Sequence, residues 1–346
     1  MTVLVTGGAG YIGSHAVRAL QQSGYPVIIL DNLVYGHKKT ANTLGTKLIE
    51  GQVGDRKLLS RLLRGELPEQ QGAPISAVMH FAAYAYVGES TKKPLLYYRN
   101  NVGDSLVLLE TIIEEAKRRD QNPIPMVFSS TCATYGMPSS TEIPINEECS
   151  QSPINPYGRS KLMIEEMIED LGKASDLPYV IFRYFNAAGA HPDGDIGELH
   201  NPETHLIPLV LNALTDPNGC IEVYGNDYNT RDGTCIRDYI HVCDLADAHV
   251  LGLNKLSTLK RGRLVYNLGN GKGYTVKEVI ETVEKVTEMG VPISMKGRRE
   301  GDPPILVASS EKARQELGWQ PKFPDLATMI EHAWKWHKKT KQEHRQ

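Results

Sequence analysis

The sequence predicts an α/β fold with a doubly wound parallel sheet, and three observations support this prediction. The chain opens with an apolar run at 2–6, a glycine-rich turn at 7–13 and a helical pattern that reaches about Ser23. A second apolar run, 27–30, is followed by the acidic residue Asp31. Further apolar runs then alternate with helical patterns. Such alternation is typical of a parallel sheet that binds ligands beyond the carboxyl ends of its strands.

The glycine-rich turn is the first candidate binding site. Gly7, Gly10 and a third glycine follow a Gly-x-x-Gly-x-x-Gly spacing directly after the first strand. Glycines allow a tight turn and a close approach of the backbone to a pyrophosphate, which then lies on the helix N-terminus at the amides of Tyr11 and Ile12. From the glycines alone, an ordinary turn remains an alternative.

Asp31 narrows the choice of cofactor. A carboxylate at the end of the second strand accepts hydrogen bonds from an adenosine ribose and repels a 2′-phosphate. The sequence therefore predicts NAD rather than NADP, bound by a Rossmann-type sheet. We expect the later strands at 47–53, 77–83 and 125–131, and long helices over 94–117 and 156–174.

Tyr157 and Lys161 form the main catalytic candidate. A phenol has a pKa near ~10, so a tyrosine that acts as a base at neutral pH needs a stabilised anion. Positions i and i+4 share one face of a helix, which lets the ammonium of Lys161 provide that stabilisation. The spacing alone is also found in ordinary surface helices. The other motifs of the chain give it its context.

Length, net charge and cysteine content limit the classes of protein to which this chain can belong. A chain of 346 residues can hold one large two-lobed unit. A net charge of -3 with mixed signs gives no field for nucleic acid or a membrane surface. The five cysteines have no zinc spacing, so we expect no metal and a reducing, cytoplasmic compartment. We expect neither a signal peptide nor a membrane span.

Several longer motifs carry a family resemblance that spans nearly the whole chain. Together with the glycine turn, Ser129-Ser130-Thr131 and Tyr157/Lys161, they resemble the extended short-chain dehydrogenase/reductases, and within these the UDP-glucose (UDP-galactose) 4-epimerases. The motifs are His80-Phe81-Ala82-Ala83, Val87-Gly88-Glu89-Ser90, Tyr97-Tyr98-Arg99-Asn100-Asn101, Arg183-Tyr184-Phe185-Asn186-Ala187-Ala188-Gly189, Gly233-Thr234-Cys235-Ile236-Arg237-Asp238-Tyr239-Ile240, Arg298-Arg299-Glu300-Gly301-Asp302 and Glu316-Leu317-Gly318-Trp319.

The resemblance implies a C4 epimerisation of a nucleotide-linked hexose through a transient 4-keto intermediate, with NAD retained between turnovers. Tyr157 takes the O4 proton, Lys161 lowers the pKa of Tyr157 and binds the nicotinamide ribose, and Thr131 hydrogen-bonds O4. Two alternatives remain. Thr131 only ends a strand and caps the following turn, or the hydroxyl of the adjacent Ser130 contacts O4 in place of Thr131. Cys132 lacks the partners of a catalytic nucleophile.

The resemblance also assigns the two binding regions. It places NAD contacts at Gly7, Gly10, Tyr11, Ile12, Asp31, Asn32, Gln52, Val53, Phe81, Ala82, Ala83, Asn100, Ser129, Tyr157, Lys161 and Phe185. It places UDP-sugar contacts at Thr131, Tyr157, Asn186, His205, Leu206, Glu222, Val223, Tyr224, Arg237, Arg299 and Asp302. Among these, arginine forks suit phosphate oxygens and the ring of Tyr224 suits stacking on uracil.

Three positions depart from the pattern. Gln52 stands where the family usually has Asp against the adenine amino group, and Ala85 where it often has Lys. Leu306 lies where side-chain bulk limits the substituent at C2 of the sugar. Because leucine is of intermediate size, the sequence neither admits nor excludes N-acetylated sugars.

Other functions compete with this interpretation. A UDP-xylose/UDP-arabinose 4-epimerase has the same chemistry and shares the motifs equally. A 4,6-dehydratase needs acid and base carboxylates just after Thr131, where this chain has Cys132 and Ala133. A non-enzymatic NAD-sensing protein has little need for the Thr/Tyr/Lys trio.

We expect an NAD-binding domain at 1–183 and a UDP-sugar-binding domain at 184–346, with segments around 239–253 returning to the first. The resemblance implies a homodimer formed by the two long helices. The apolar stripe of Leu106, Leu109, Ile112 and Ile113 is the candidate interface, although such a stripe more often belongs to a core.

Overall fold

The structure is a computed structural model that describes residues 1–259, 262–299 and 301–343. Glu300, part of one of the sequence motifs, lies outside these ranges. The strands are β1 Thr2–Thr6, β2 Val27–Asp31, β3 Lys47–Glu50, β4 Ile75–His80, β5 Met126–Thr131, β6 Tyr179–Tyr184, β7 Asn186–Ala188, β8 Ile221–Tyr224, β9 Ile236–His241, β10 Arg263–Leu268, β11 Gly273–Thr275, β12 Ile293–Lys296 and β13 Ile305–Leu306.

Helices connect most of these strands. They are α1 Tyr11–Gln22, α2 Lys38–Thr43, α3 Arg56–Arg64, α4 Val87–Lys92, α5 Pro94–Tyr97, α6 Asp104–Arg119, α7 Pro156–Ser175, α8 Leu206–Thr215, α9 Val242–Thr258, α10 Val276–Thr287, α11 Glu311–Leu317 and α12 Leu326–Glu343. Within the described ranges, no helix is both long enough and apolar enough to span a membrane.

The main sheet has the order β10-β6-β5-β4-β1-β2-β3, and all of its pairings are parallel. The order reverses beside β1, because β2 lies on one side of it and β4 on the other. A sheet of this kind binds ligands where the order reverses, outside the carboxyl ends of the strands. The predicted fold class is confirmed, and the glycine turn lies at this position.

Two apolar layers cover the main sheet because successive side chains of a strand point to opposite faces. Val3 and Val5 pack with α1 and α9 in one layer. Leu4 lies in the other, against side chains of α3, α6 and α7. The inner strands are therefore buried on both faces, as their continuous apolar sequences predict, whereas the edge strand β3 is partly exposed.

A second group of elements forms the opposite side of the ligand cleft. β9 pairs with β7, β11 and β13, and β8 pairs with β12. Helices α8, α10 and α12 supply their own apolar cluster, with Val210, Val279 and Ile330 at its centre. This arrangement matches the mixed α/β lobe expected from the sequence.

The region expected to be one helix over 94–117 differs from that expectation. It contains α5, a π-helical turn at Tyr98–Gly103, and then α6. Short π-helical turns often occur at functional sites, and this one carries Asn100 into the cleft. β3 also ends at Glu50, whereas the sequence predicted a strand that continues to Val53.

A segment in the second half of the sequence returns to the main sheet. After β9, α9 packs on α1, and β10 joins the sheet beside β6. The sequence placed this return around 239–253, and the pairing of β10 with β6 lengthens it. We therefore propose that the nucleotide-binding domain consists of 1–183 with α9 and β10, and that the rest forms the substrate domain.

Candidate active site

One continuous cleft, about 1050 Å³ in volume, runs along the carboxyl ends of the main-sheet strands toward β9 and β13. Most predicted site residues line it: Gly7, Gly10, Tyr11, Ile12, Asp31, Asn32, Val53, Phe81, Ala82, Ala83, Asn100, Ser129, Thr131, Tyr157, Lys161, Phe185, Asn186, His205, Arg237, Arg299 and Asp302. The lining does not include Gln52, Leu206, Glu222, Val223 or Tyr224. The side chains of Leu206 and Val223 pack in the apolar cluster of the second lobe instead.

The glycine turn leaves an open helix terminus at the cleft. Gly7 has a φ of +74°, and a Cβ atom there would lie 2.6 Å from the amide nitrogen of Ala82. Gly10 is the N-cap of α1, and no side chain caps the helix at this point. The first amides of α1, at Tyr11 and Ile12, therefore face a cleft in which an anion is favoured by the helix dipole. This geometry fits the pyrophosphate of a dinucleotide.

Asp31 fixes the loop beside that turn. Its carboxylate accepts hydrogen bonds from the amides of Ala9, at 3.0 Å, and Leu33, at 2.9 Å. Burial raises the pKa of Asp31, while these two bonds act to lower it. Asp31 is 7% exposed at the edge of the cleft, where the remaining lone pairs of its carboxylate can accept hydrogen bonds from ribose hydroxyls.

The predicted catalytic trio comes from two adjacent elements. Thr131 is the last residue of β5, while Tyr157 and Lys161 lie on the first turns of α7. A Cβ atom at Gly158 would approach the Ala133 carbonyl oxygen to 2.4 Å, so this glycine allows α7 to pack against the turn after β5. All three side chains of the trio are buried at the base of the cleft.

Thr131 makes one of the interactions considered from the sequence, the cap of a turn, while its hydrogen bond to O4 of the sugar stays a prediction. Its Oγ1 accepts a hydrogen bond of 3.1 Å from the Ala133 amide and so caps the following turn. Burial and the neighbouring Tyr184 raise the pKa of Tyr157, and a hydrogen bond with Thr131 acts to lower it. The same hydroxyl thus contacts the predicted base. Adjacent Ser130 points away, and its hydroxyl donates to the carboxylate of Glu165.

Lys161 is directed at the end of β5. Its ammonium donates a 2.7 Å hydrogen bond to the carbonyl oxygen of Ser129 and lies 4.9 Å from the ring centroid of Phe128. Burial lowers the pKa of Lys161 to about 7, although Glu165 acts to raise it. In this position the ammonium is bonded to the backbone, so its stabilisation of the Tyr157 anion stays a prediction.

The environment of Cys132 disfavours its reactive thiolate form. Burial raises the pKa of its thiol to about 12. A neutral thiol is a poor nucleophile.

The predicted phosphate-binding groups converge at the far end of the cleft. Asn186 begins β7 and donates a 2.9 Å hydrogen bond to the carbonyl oxygen of Asp238. Asp302 lies between two arginines, 3.9 Å from Arg237 Nη2 and 3.9 Å from Arg299 Nε. Those distances leave the guanidinium groups able to bind an entering diphosphate.

The predicted uracil-binding segment has a different arrangement. The guanidinium carbon of Arg299 lies 4.4 Å from the ring centroid of Tyr224, so the arginine covers one face of the ring. The Tyr224 hydroxyl donates a 2.5 Å hydrogen bond to Glu222, whose carboxylate is also 3.4 Å from Lys296 Nζ. Stacking of Tyr224 on a base therefore requires its other face or movement of Arg299.

His205 belongs to a cluster that sequence reasoning missed. Its Nδ1 lies 2.6 Å from Glu198 Oε1, and Glu203 and His200 complete the group. Burial acts to lower the pKa of His205, but the carboxylate of Glu198 outweighs it and raises the pKa to about 10. The spacing Glu-x-His-x-x-Glu-x-His was the available signal.

A tyrosine cluster on the cleft wall was also missed. The ring centroid of Tyr35 lies 5.4 Å from that of Tyr84 and 5.1 Å from that of Tyr86, both edge-on. Glu89 accepts hydrogen bonds from Tyr97, at 3.1 Å, and from Tyr35, at 3.4 Å. Alternating tyrosines just after β4 were the signal for this wall.

Comparison with known proteins identifies the family of the chain. Residues 3–269 match the model of the NAD dependent epimerase/dehydratase family. The chain belongs to that family. A UDP-glucose 4-epimerase of Halalkalibacterium halodurans is 49% identical over 339 residues, covering 98% of this chain and 96% of the relative.

Solved structures of the epimerase/dehydratase family agree with the sequence match. A UDP-glucose 4-epimerase from Brucella ovis in complex with NAD is similar with a TM-score of 0.87 and 45% identity, covering 96% of this chain and 97% of that one. One from Bifidobacterium longum, in complex with NAD+ and UDP, has a TM-score of 0.87 and 37% identity, covering 99% of both chains.

Proposed function

We propose that this chain is an isomerase that interconverts UDP-glucose and UDP-galactose by epimerisation at C4, with NAD as its cofactor. One observation carries the proposal: a single cleft joins the open helix terminus of α1, the trio of Thr131, Tyr157 and Lys161, and the phosphate-binding groups around Arg237. The curated relatives named UDP-glucose 4-epimerase match nearly the full length of the chain.

The cofactor site uses the glycine turn for the pyrophosphate and Asp31 for the adenosine ribose. When bound, NAD accepts and returns a hydride. Tyr157 removes the proton from O4 of the sugar, and Thr131 holds the same oxygen through its hydroxyl. The flexible side chain of Lys161 can leave the Ser129 carbonyl oxygen, and its ammonium would then bind the nicotinamide ribose and stabilise the Tyr157 oxygen.

The substrate site holds the nucleotide and leaves the sugar free to turn. Arg237, Arg299 and Asn186 bind the diphosphate, while Asp302 binds the uridine ribose and Tyr224 the base. Epimerisation requires that both faces of the 4-keto intermediate be presented to the same cofactor. A firm hold on UDP with few charged contacts to the hexose permits that rotation.

The activity is tested by incubating the purified protein with UDP-galactose, without added NAD, and following the anomeric signals by NMR. We expect conversion to UDP-glucose until both epimers coexist at equilibrium, and the same mixture when UDP-glucose is the starting material. Absence of interconversion, after the protein has been saturated with NAD, would overturn the proposal.

The preference of the enzyme for a hexose over a pentose nucleotide requires a separate comparison of rates. The relatives named UDP-glucose 4-epimerase favour the hexose, whereas one similar structure, from Stenotrophomonas maltophila, carries a formylated UDP-arabinopyranose. We expect kcat/KM for UDP-galactose to exceed that for UDP-arabinopyranose in parallel assays. The reverse order would assign the pentose function.

We infer that the chain forms a homodimer through α6 and α7. Leu109 and Ile112 of the expected stripe are buried in the core, but Leu106 is 44% exposed and Met163 is 41% exposed. These helices border a groove of about 430 Å³, whose lining includes Leu106, Ile113, Met167 and Leu171 with a few charged residues. Light scattering should give a dimer mass for the native chain and a monomer mass for Leu106→Asp.

We further propose a cytoplasmic location. All five cysteines are free, as expected in a reducing compartment. Fractionation of cells that express the chain without a tag should recover it in the cytosol. Recovery from an oxidising compartment would contradict this assignment.

A further inference from the structure

A group of four side chains at the rim of the cleft has the composition of a metal site. Glu198, His200, Glu203 and His205 lie within eight residues of chain just before α8. Each offers one ligand atom, and these atoms all lie within 4.8 Å of one another. Two imidazoles and two carboxylates are a ligand set that suits zinc and related divalent cations.

The separations between the ligand atoms agree with a tetrahedral centre. Zn–N and Zn–O bonds of about 2.0–2.1 Å put neighbouring ligand atoms about 3.3 Å apart. Glu198 Oε1 lies 3.1 Å from His200 Nδ1 and 2.6 Å from His205 Nδ1. His200 Nδ1 lies 3.8 Å from Glu203 Oε2. All four ligand atoms lie within 4.8 Å of one another, so side-chain rotations that draw the more distant pairs together would enclose one small cation.

Hydrogen bonding within the group is incomplete. His205 Nδ1 is buried and has no hydrogen-bond partner of good geometry, even though Glu198 Oε1 is close to it. Glu203 uses Oε1 to accept the amides of Thr204, at 2.7 Å, and His205, at 2.9 Å. Those bonds fix the Glu203 carboxylate with Oε2 toward His200, as the outer-shell partners of metal ligands do.

A second group of possible ligands provides a contrast. His191, Asp193 and Asp195 also lie within reach of one another. Here Arg18 already supplies the positive charge, with Nη2 2.6 Å from Asp195 and Nη1 3.8 Å from Asp193. The guanidinium of Arg18 keeps its charge and its place, whereas the imidazolium of His205 can release its proton to a metal ion.

We propose that Glu198, His200, Glu203 and His205 bind one zinc-class divalent cation. Four protein ligands fill a tetrahedral shell, so the cation is structural and takes no part in proton or hydride transfer. It ties the segment 198–205 to the start of α8, which fixes the rim of the cleft on its substrate side. This inference does not depend on the proposed epimerase activity. It replaces two expectations from the sequence, namely that the chain binds no metal and that the side chain of His205 contacts the UDP-sugar.

The test uses the purified holoprotein after treatment with a chelator and removal of that chelator. Titration with ZnCl₂ by calorimetry should give one bound Zn²⁺ per chain, and substitution with Co²⁺ should give the intense visible bands of a tetrahedral centre. Zinc should also raise the melting temperature, because it binds the folded chain.

Variants decide whether the bound ion occupies this cluster. His200→Ala and Glu198→Gln should each weaken Zn²⁺ binding by at least about 100-fold, beyond the 10- to 100-fold effect of outer-shell partners. His37→Ala is the matched control, because His37 Nε2 contacts the Leu199 carbonyl oxygen at 3.0 Å and stays outside the cluster.

The zinc-binding experiments have three distinguishable outcomes. One zinc ion per chain in the native protein and in His37→Ala, with loss in both cluster variants, supports the proposal. Undetectable binding would show that the cluster is held only by the ion pair of Glu198 and His205. Binding that survives both cluster variants would place the ion elsewhere. Either of the last two results would overturn the proposal.

Discussion

The pair of Glu165 and Arg183 supports the floor of the active site, and its removal gives the strongest stability prediction. Arg183 Nη2 lies 2.7 Å from Glu165 Oε2, with the two side chains 5% and 1% exposed. Ser130 donates to the other oxygen of Glu165, and Gln151 donates to Oε2 at 3.0 Å. Glu165 is one helical turn beyond Lys161, so the pair links β5, β6 and the catalytic face of α7.

Glu165→Gln removes the charge and leaves Arg183 buried without its counter-charge. Breaking a buried ion pair in this way costs about 3–5 kcal/mol of folding free energy. Glu166→Gln is the matched control, since Glu166 is exposed on the same helix. Surface substitutions of this kind usually change the free energy of unfolding by less than about 0.5 kcal/mol.

Urea denaturation of the native chain and both variants, followed by circular dichroism, measures the effect. We expect a lower midpoint for Glu165→Gln at an unchanged denaturant slope, and no shift for Glu166→Gln. A loss below about 1 kcal/mol in Glu165→Gln, or equal losses in the two variants, would refute the argument that the pair is electrostatically coupled.

Three further predictions concern the site itself. Tyr157→Phe should retain NAD and UDP in calorimetry while epimerisation falls by about 100-fold or more, the scale of lost general acid–base catalysis; near-native turnover would remove Tyr157 from the mechanism. Arg237→Ala should weaken UDP and UDP-glucose binding by a similar factor, about 1.5–3 kcal/mol, and an effect confined to one epimer would contradict the rotating-sugar mechanism. The pKa of Lys161 is about 7 in the folded chain and 10.5 ordinarily, so between these pH values the unfolded chain binds more protons than the folded one. The free energy of unfolding should therefore increase as the pH rises through this range. Thermal melts at several pH values should show this increase for the native chain, and Lys161→Met should lack it.

The sequence was most informative where local pattern and chemistry coincide. β1 and β2 have the limits that their apolar runs indicate, and the glycine turn follows β1 as its spacing predicts. Thr131 ends β5, as expected for a side chain that reaches the cleft from a strand terminus. These features depend on a few neighbouring residues, so the sequence alone is sufficient to predict them.

The orientation of long side chains could not be predicted from the sequence. The i,i+4 spacing placed Lys161 beside Tyr157, but its ammonium is bonded to the Ser129 carbonyl oxygen. Arg299 lines the cleft as expected, but its guanidinium group also covers one face of the Tyr224 ring, which the motif did not indicate. Flexible cations choose among several nearby acceptors, and that choice depends on tertiary contacts that no linear motif records.

The cluster around His205 was missed for a different reason. Its members are spread over an irregular loop, with no helical or strand periodicity to place their side chains on one face. Only the folded loop shows that Glu198 and His205 meet. A search confined to cysteine spacing could not find a site made of histidine and glutamate.

The central claim, that the hydrogen at C4 leaves the sugar and returns to it within one cleft, is tested most directly by isotope retention. UDP-galactose deuterated at C4 should be converted by the purified protein to UDP-glucose that still carries deuterium at C4, with none released to water. Loss of the label to solvent, or accumulation of a free 4-keto sugar nucleotide, would contradict the account.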